Sequence, residues 1–245
     1  MPRYKCTIEY DGSKFAGWQK QKHSPSIQEY IEKAIENFAG EKIDVTTAGR
    51  TDSGVHALGQ VIHFDIKQDM DEFNVMGAIN FHIKPHKIAV LKVVKVDESF
   101  NARLSAKKRV YEYRIINRRG PLTIDKNRAW HVISPLDEKA MQESANYLIG
   151  RHDFTTFRDS LCQANSPVKT LDELRIERQG EIIKIHASAK SFLHHMVRNL
   201  AGTLKLAGEG KWQPIDVKNA LEAKDRSCGG PTAPAEALYL VRVEY

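Results

Sequence analysis

Arg50 and Asp52, two residues apart in Gly49-Arg50-Thr51-Asp52-Ser53-Gly54-Val55-His56-Ala57, have the types and spacing best suited to chemistry. A carboxylate beside a guanidinium stays ionised at neutral pH, because a nearby opposite charge favours the charged form. An ionised aspartate can serve as a nucleophile or a base. A plainer reading stands next to this one, since aspartates in turns also cap backbone N–H groups or pair with arginines for stability alone.

Three further stretches combine cations with aromatic rings. In Lys107 to Ile116, Arg109, Tyr111 and Tyr113 fall on one face of an alternating strand. Two rings beside a cation suit a platform for a base, and equally suit local packing, because tyrosine favours strands in any case. From Ser191 onward the spacing predicts a helix with Phe192, Met196, Leu200 and Thr203 on its apolar side. His194, Arg198 and Lys205 then form one basic stripe, with Gly202 allowing something to approach closely, although a charged stripe is most often a solvated face. Near the start, Phe15, Trp18 and several lysines could stack on bases and hold phosphates, or pack under a loop. His152-Asp153 suggests acid–base work only weakly, because adjacent side chains need not face each other.

The elements that must position these residues are legible in outline. Arg3 to Tyr10 reads as a strand, and Ser26 opens a helix carrying Ile27, Ile31, Ile35 and Phe38 at helical spacing. β-branched residues from Ile43 to Ala48 and the alternation of Gln60 to Ile66 make the Asp52 stretch a tight connection between strands, its end glycines permitting angles closed to other residues. A short helix over 71–80 and a strand over 87–96 complete a first half of order strand, helix, strand, strand, helix, strand. Residues 97–104 lack proline and glycine, so the junction between halves is a packed connection. Beyond it come a helix over 137–149 stopped at Gly150, strands over 168–177 and 181–189, a helix near 216–223 and a closing strand over 237–243. The domains predicted are 1–104 and 105–245.

With 245 residues the chain can bury a substantial core. No apolar run approaches the ~20 residues needed to span a bilayer, and no signal-like segment opens the chain, so a cytoplasmic location is expected. Cys6, Cys162 and Cys228 are too scattered for a disulfide frame or a zinc site. The net charge of +6 points towards a polyanion partner but fits a plain basic surface as well. There is no P-loop, no Rossmann glycine pattern and no zinc-deaminase signature.

GRTDSGVHA resembles the active-site loop of the tRNA pseudouridine synthase A (TruA) family. Other segments resemble that family in the same order: Tyr10-Asp11-Gly12 with Phe15-Ala16-Gly17-Trp18-Gln19, Phe100-Asn101-Ala102-Arg103, and Lys108 to Tyr113. Phe192 to Asn199 and Pro231-Thr232-Ala233-Pro234-Ala235 complete the set. The resemblance implies an α+β fold of two similar halves, each a mainly antiparallel sheet covered by helices, with the active-site cleft between them. It implies a homodimer that isomerises uridine to pseudouridine at positions 38–40 of the tRNA anticodon stem-loop, with no cofactor and no metal. By position, Asp52 becomes the catalytic aspartate, Tyr111 the tyrosine stacked on the target base and Arg198 the cation paired with Asp52. Arg50 would assist extrusion of the nucleotide and touch its backbone, with Arg109, His194 and Lys205 as further RNA contacts. Asn101 and Ala237 depart from the family, which commonly has histidine and glycine there. Two rivals remain: a non-catalytic RNA-binding protein, and a metal-independent ribonuclease relying on His56, His194 or His195.

Overall fold

The computed structural model describes residues 1–21 and 23–245. Of the lysines near Trp18, Lys22 lies outside the described residues. In chain order the elements are β1 (Arg3–Tyr10), α1 (Ile27–Ala39), β2 (Thr46–Thr47), β3 (His56–Asp65), α2 (Glu72–His82) and β4 (Ile88–Val96). They continue with β5 (Lys108–Asn117), β6 (Trp130–Val132), α3 (Glu138–Asn146), β7 (Gly150–Asp153), β8 (Val168–Gln179) and β9 (Ile182–Ala189). The last three are α4 (Met196–Gly208), α5 (Pro214–Ala223) and β10 (Leu238–Glu244). The chain is of the α+β class and divides into two compact units, Met1–Lys107 with Tyr239–Tyr245, and Lys108–Leu238.

In the first unit β1 lies between β3 and β4, antiparallel to both, and β2 adds to β3. Tyr4, Cys6, Ile8 and Tyr10 alternate into the core, as a half-buried strand requires. Ser26 starts α1 by accepting the Glu29 N–H, and Gly40, at φ 68°, ends it in the left-handed region. α1 buries Ile27, Ile31 and Ile35 and packs on α2, which packs on β4. The pairing of β1 with β3 shifts register between Ile8 and Tyr10, a bulge at the strand end beside the Asp52 loop. β10, expected in the second half, joins this unit by running parallel to β3, with Tyr239 opposite His56. The junction falls after Lys107 instead of after residue 104. Residues 97–104 are fastened within the unit, where Arg3 donates to the carbonyls of Glu98 and Phe100 and Ala102 N–H donates to His63 Nδ1.

In the second unit β5, β9, β8 and β7 form an antiparallel series, with β6 parallel to β5. Gly180, at φ 60°, makes the tight turn between β8 and β9. α3 packs on β8, α4 and α5. It ends at Asn146, short of the expected 149, and Gly150 opens β7 instead of stopping the helix. The largest difference from expectation is at α4, which begins at Met196, five residues after Ser191. His195, in the left-handed region at φ 60°, turns the chain into it.

Candidate active site

The loop carrying Asp52 is tied down through the residues on either side of that aspartate. Trp18 N–H donates to Thr51 O at 3.0 Å, Tyr10 OH meets Thr51 Oγ1 at 2.7 Å, and Ser53 Oγ donates to Phe15 O at 3.2 Å. Upstream, fully buried Gln60 donates to Gly49 O at 2.7 Å. Downstream, Val55 N–H closes a turn onto Asp52 O at 3.2 Å, with Gly54 at φ 81°. Gly54 therefore uses the freedom expected of it, whereas Gly49 has no positive φ. Burial pushes the Tyr10 hydroxyl up to about 12, opposed by hydrogen bonds from Thr51 and Gln60, so it stays protonated in the loop's anchor. Asp52 is partly buried and Arg50 exposed, so the two do not share one desolvated environment.

Trp18 and Phe15 are 2% and 7% exposed, which decides their alternatives: they pack beneath this loop and offer no face for stacking a base. His56 is buried as well, stacked on Tyr239 at 4.8 Å, and its Nδ1 receives the Gly12 N–H at 3.0 Å. Asp11 Oδ1 is 3.4 Å from the same Nδ1. An atom that accepts an N–H cannot also donate, so the shorter Gly12 bond takes precedence and His56 is structural, which removes it from the ribonuclease reading.

Burial raises the Asp11 carboxyl pKa, but hydrogen bonds from Ser13 and the Lys87 ammonium at 3.0 Å hold it well below the usual carboxylate range. A depressed folded-state pKa gives stability that is present above the unfolded value of about 4 and is lost as pH falls through the folded value. Asp11→Asn is therefore expected to lower the melting temperature at pH 7, and the gap from wild type should narrow steadily below about pH 4. A gap independent of pH would mean that packing, not charge, is lost.

In the second unit the expected two-ring platform reduces to one ring. Tyr113 is fully buried and donates to Pro234 O at 2.9 Å; burial drives its pKa far up, the Glu236 carboxylate adds to this and Arg198 opposes it. Arg109 is buried too, its Nη1 bonded to Lys190 O at 2.6 Å. Tyr111 keeps partial exposure, opposite the small Ala187 in β9 and edge-on to Phe192 at 5.1 Å.

The basic stripe is not formed. His194 precedes α4, Lys205 pairs with Glu209 at 2.6 Å and lies over Trp130, and the approach that Gly202 permits is made by the chain's own Pro231 carbonyl. Arg198 lies in the first turn of α4, with Nε donating to Ala233 O at 2.8 Å and its own carbonyl accepting Ala233 N–H at 3.2 Å. His195 and His194 face Asp159, with Nδ1 to carboxylate distances of 2.7 and 3.5 Å. Burial raises the Asp159 carboxyl pKa, but the Leu161 N–H and both imidazoles hold it below its ordinary value. Asp159 carried no functional signal in sequence, Thr203 read only as part of the apolar side of the helix, and Asn199 and Thr232 stood out only as members of two segments that resemble the family. Neither departure from the family pattern strains the chain: Asn101 Oδ1 accepts the N–H groups of Arg103 and Leu104, and Ala237 is fully buried in a 3-10 turn.

The sequence profile of the tRNA pseudouridine synthase family matches residues 7–104 and 144–245. The chain belongs to that family. It is similar over its whole length to three bacterial proteins named tRNA pseudouridine synthase A. It is 55% identical to the Paramagnetospirillum magneticum protein, covering 96% of that chain, and 51% identical to the Sinorhizobium fredii protein, covering all of it. It is 52% identical to that of Maricaulis maris, covering 98%. Members of the family are isomerases. The segments the profile matches contain the Asp52 loop, Arg198 and the 231–235 stretch, while Tyr111 lies between them, in a region that the full-length relatives do cover. Among the described residues no helix is long and apolar enough to cross a membrane.

Proposed function

We propose that the protein is a cytoplasmic tRNA pseudouridine synthase, acting as a homodimer on uridines 38–40 of the anticodon stem-loop. The observation that carries this reading is the Asp52 loop, which is fixed through Thr51, Ser53 and Val55. A carboxylate on a rigid base suits a reaction needing one well-placed group. The reaction breaks the bond from N1 to C1′, turns the base and rejoins it through C5. No group is gained and the redox state does not change. The Asp52 carboxylate promotes the cleavage, by attack on C1′ or by removal of a ribose proton, and Arg198 is its cationic partner. Extruding the nucleotide from a stem costs a few kcal/mol, which stacking on Tyr111 and phosphate contacts must offset. Arg50, being exposed, suits a backbone contact; the burial of Arg109 and the Glu209 partner of Lys205 leave these two less suited to one.

The test is wild-type protein on unmodified tRNA transcripts, with pseudouridine mapped by carbodiimide labelling and primer extension. Modification at positions 38–40 is expected. Binding of several transcripts without modification of any would replace this reading with that of an RNA-binding protein. If the Tyr111 hydroxyl also helps to remove the C5 proton, Tyr111→Phe should slow turnover by roughly 100-fold while leaving KM for tRNA unchanged. Undiminished turnover in that variant would confine Tyr111 to stacking.

A further inference from the structure

Residues 226–234 form a strap across α4, and the contact is close enough to bring two backbones together. A Cβ on Gly202 would lie 1.7 Å from Pro231 O, and one on Gly230 would lie 2.6 Å from Thr203 Cα. The polar bonds follow in sequence along the strap. Gly230 N–H donates to Thr203 Oγ1 at 2.9 Å, and Thr203 Oγ1 donates in turn to Asn199 O at 2.8 Å. Thr232 Oγ1 donates to Asn199 Oδ1 at 2.7 Å, and Arg226 Nη2 reaches both of those oxygens at 3.1–3.2 Å. Asn199 Nδ2 is committed to Phe157 O at 2.9 Å. Next along the strap, Ala233 makes its two bonds with Arg198, and Pro234 O accepts from Tyr113.

Positions 198 and 202, and 199 and 203, are each four residues apart, so the two pairs lie side by side on one face of α4. Asn199 and Thr203 are 1% and 0% exposed, so water cannot replace these partners. The carbonyl that fixes the plane of the Arg198 guanidinium therefore has its own position set by the Thr203 hydroxyl and the Asn199 amide. An unrestrained arginine samples many rotamers, and a fixed Nε bond removes much of that freedom before substrate binds.

We propose that Thr203 and Asn199 are positioning residues for Arg198, acting through the strap from Gly230 to Ala233. This rests on the reading of Arg198 as the cation of the reaction. The experiment measures kcat and KM on a tRNA transcript, together with melting temperature, for wild type, Thr203→Val, Thr203→Ser, Thr232→Val and Arg198→Ala. Thr203→Val keeps the shape of the side chain and removes the hydroxyl. It should lower kcat roughly tenfold, the scale of a small misplacement, with KM unchanged. Thr203→Ser should restore kcat. Thr232 is exposed, so Thr232→Val should fold whatever happens to Thr203→Val, and a smaller fall in kcat at constant KM is expected from it. Wild-type kcat in folded Thr203→Val or in Thr232→Val would overturn the proposal, as would equal changes in kcat and KM, or failure of serine to restore. If Arg198→Ala itself keeps wild-type kcat, the role given to Arg198 fails first, and that outcome is distinct from the others.

Discussion

Asp52→Asn is expected to abolish measurable pseudouridine formation, slowing the reaction by roughly 1,000-fold or more while leaving tRNA affinity within about threefold of wild type. The substitution preserves size, removes the charge and turns one acceptor oxygen into an N–H donor. The ties described above use Thr51 O and Oγ1, Ser53 Oγ and the carbonyl of residue 52, none of which changes, and a melting temperature equal to wild type would show that the loop keeps its place. A fall in rate can then be assigned to the missing carboxylate instead of to a displaced turn. Single-turnover carbodiimide mapping gives the rate, and filter binding of the same transcript gives the affinity. Rates near wild type would remove Asp52 from the chemistry, and loss of binding in proportion to rate would make it an RNA contact.

What was legible in the sequence was local. Ser26 marks the start of α1 through a backbone group three residues away, and alternation in β1 names the buried face, so both could be read directly. The Asp52 loop was legible for a similar reason, as a glycine-bounded link between alternating segments. What could not be read depends on partners distant in sequence. Alternation puts Tyr111 and Tyr113 on one face, but only the carbonyl of Pro234, 121 residues on, decides that Tyr113 is a buried anchor. Helical periodicity runs smoothly back through Ser191, yet Asp159 takes both imidazoles and His195 adopts a left-handed turn there, so α4 starts later and the basic stripe dissolves. β10 reads as a strand from its residues, but its parallel pairing with β3 is what assigns it to the first unit. Periodicity reports which face is apolar; it carries no information about which carbonyl a buried hydroxyl or guanidinium will find.

Gly12 gives the second large effect, and one that the segment around it would not suggest. A Cβ at this position would stand 2.0 Å from Val55 O and 2.6 Å from Val55 C. These are backbone atoms of the turn that closes on Asp52, so no side chain can rotate aside to relieve the clash. The same residue supplies the N–H that His56 Nδ1 accepts, so moving Gly12 away would cost that buried bond as well. Overpacking of this kind typically costs about 1–3 kcal/mol, and for a chain of this size that is a fall of several degrees in melting temperature. The catalytic consequence should be at least as easy to measure. Asp52 precedes Val55 by three residues in one turn, and a displacement of about 1 Å at a reacting group can cost on the order of 100-fold in rate. Gly12→Ala is therefore expected to lose a few degrees of stability and about 100-fold in kcat, with tRNA binding little changed. Gly49→Ala is the control for stability: it has no atom within 4 Å of its Cβ and no positive φ, so its melting temperature should match wild type. If Gly12→Ala melts early but turns over normally, the turn can shift without disturbing the chemistry, and the rigidity of the Asp52 loop would serve folding alone.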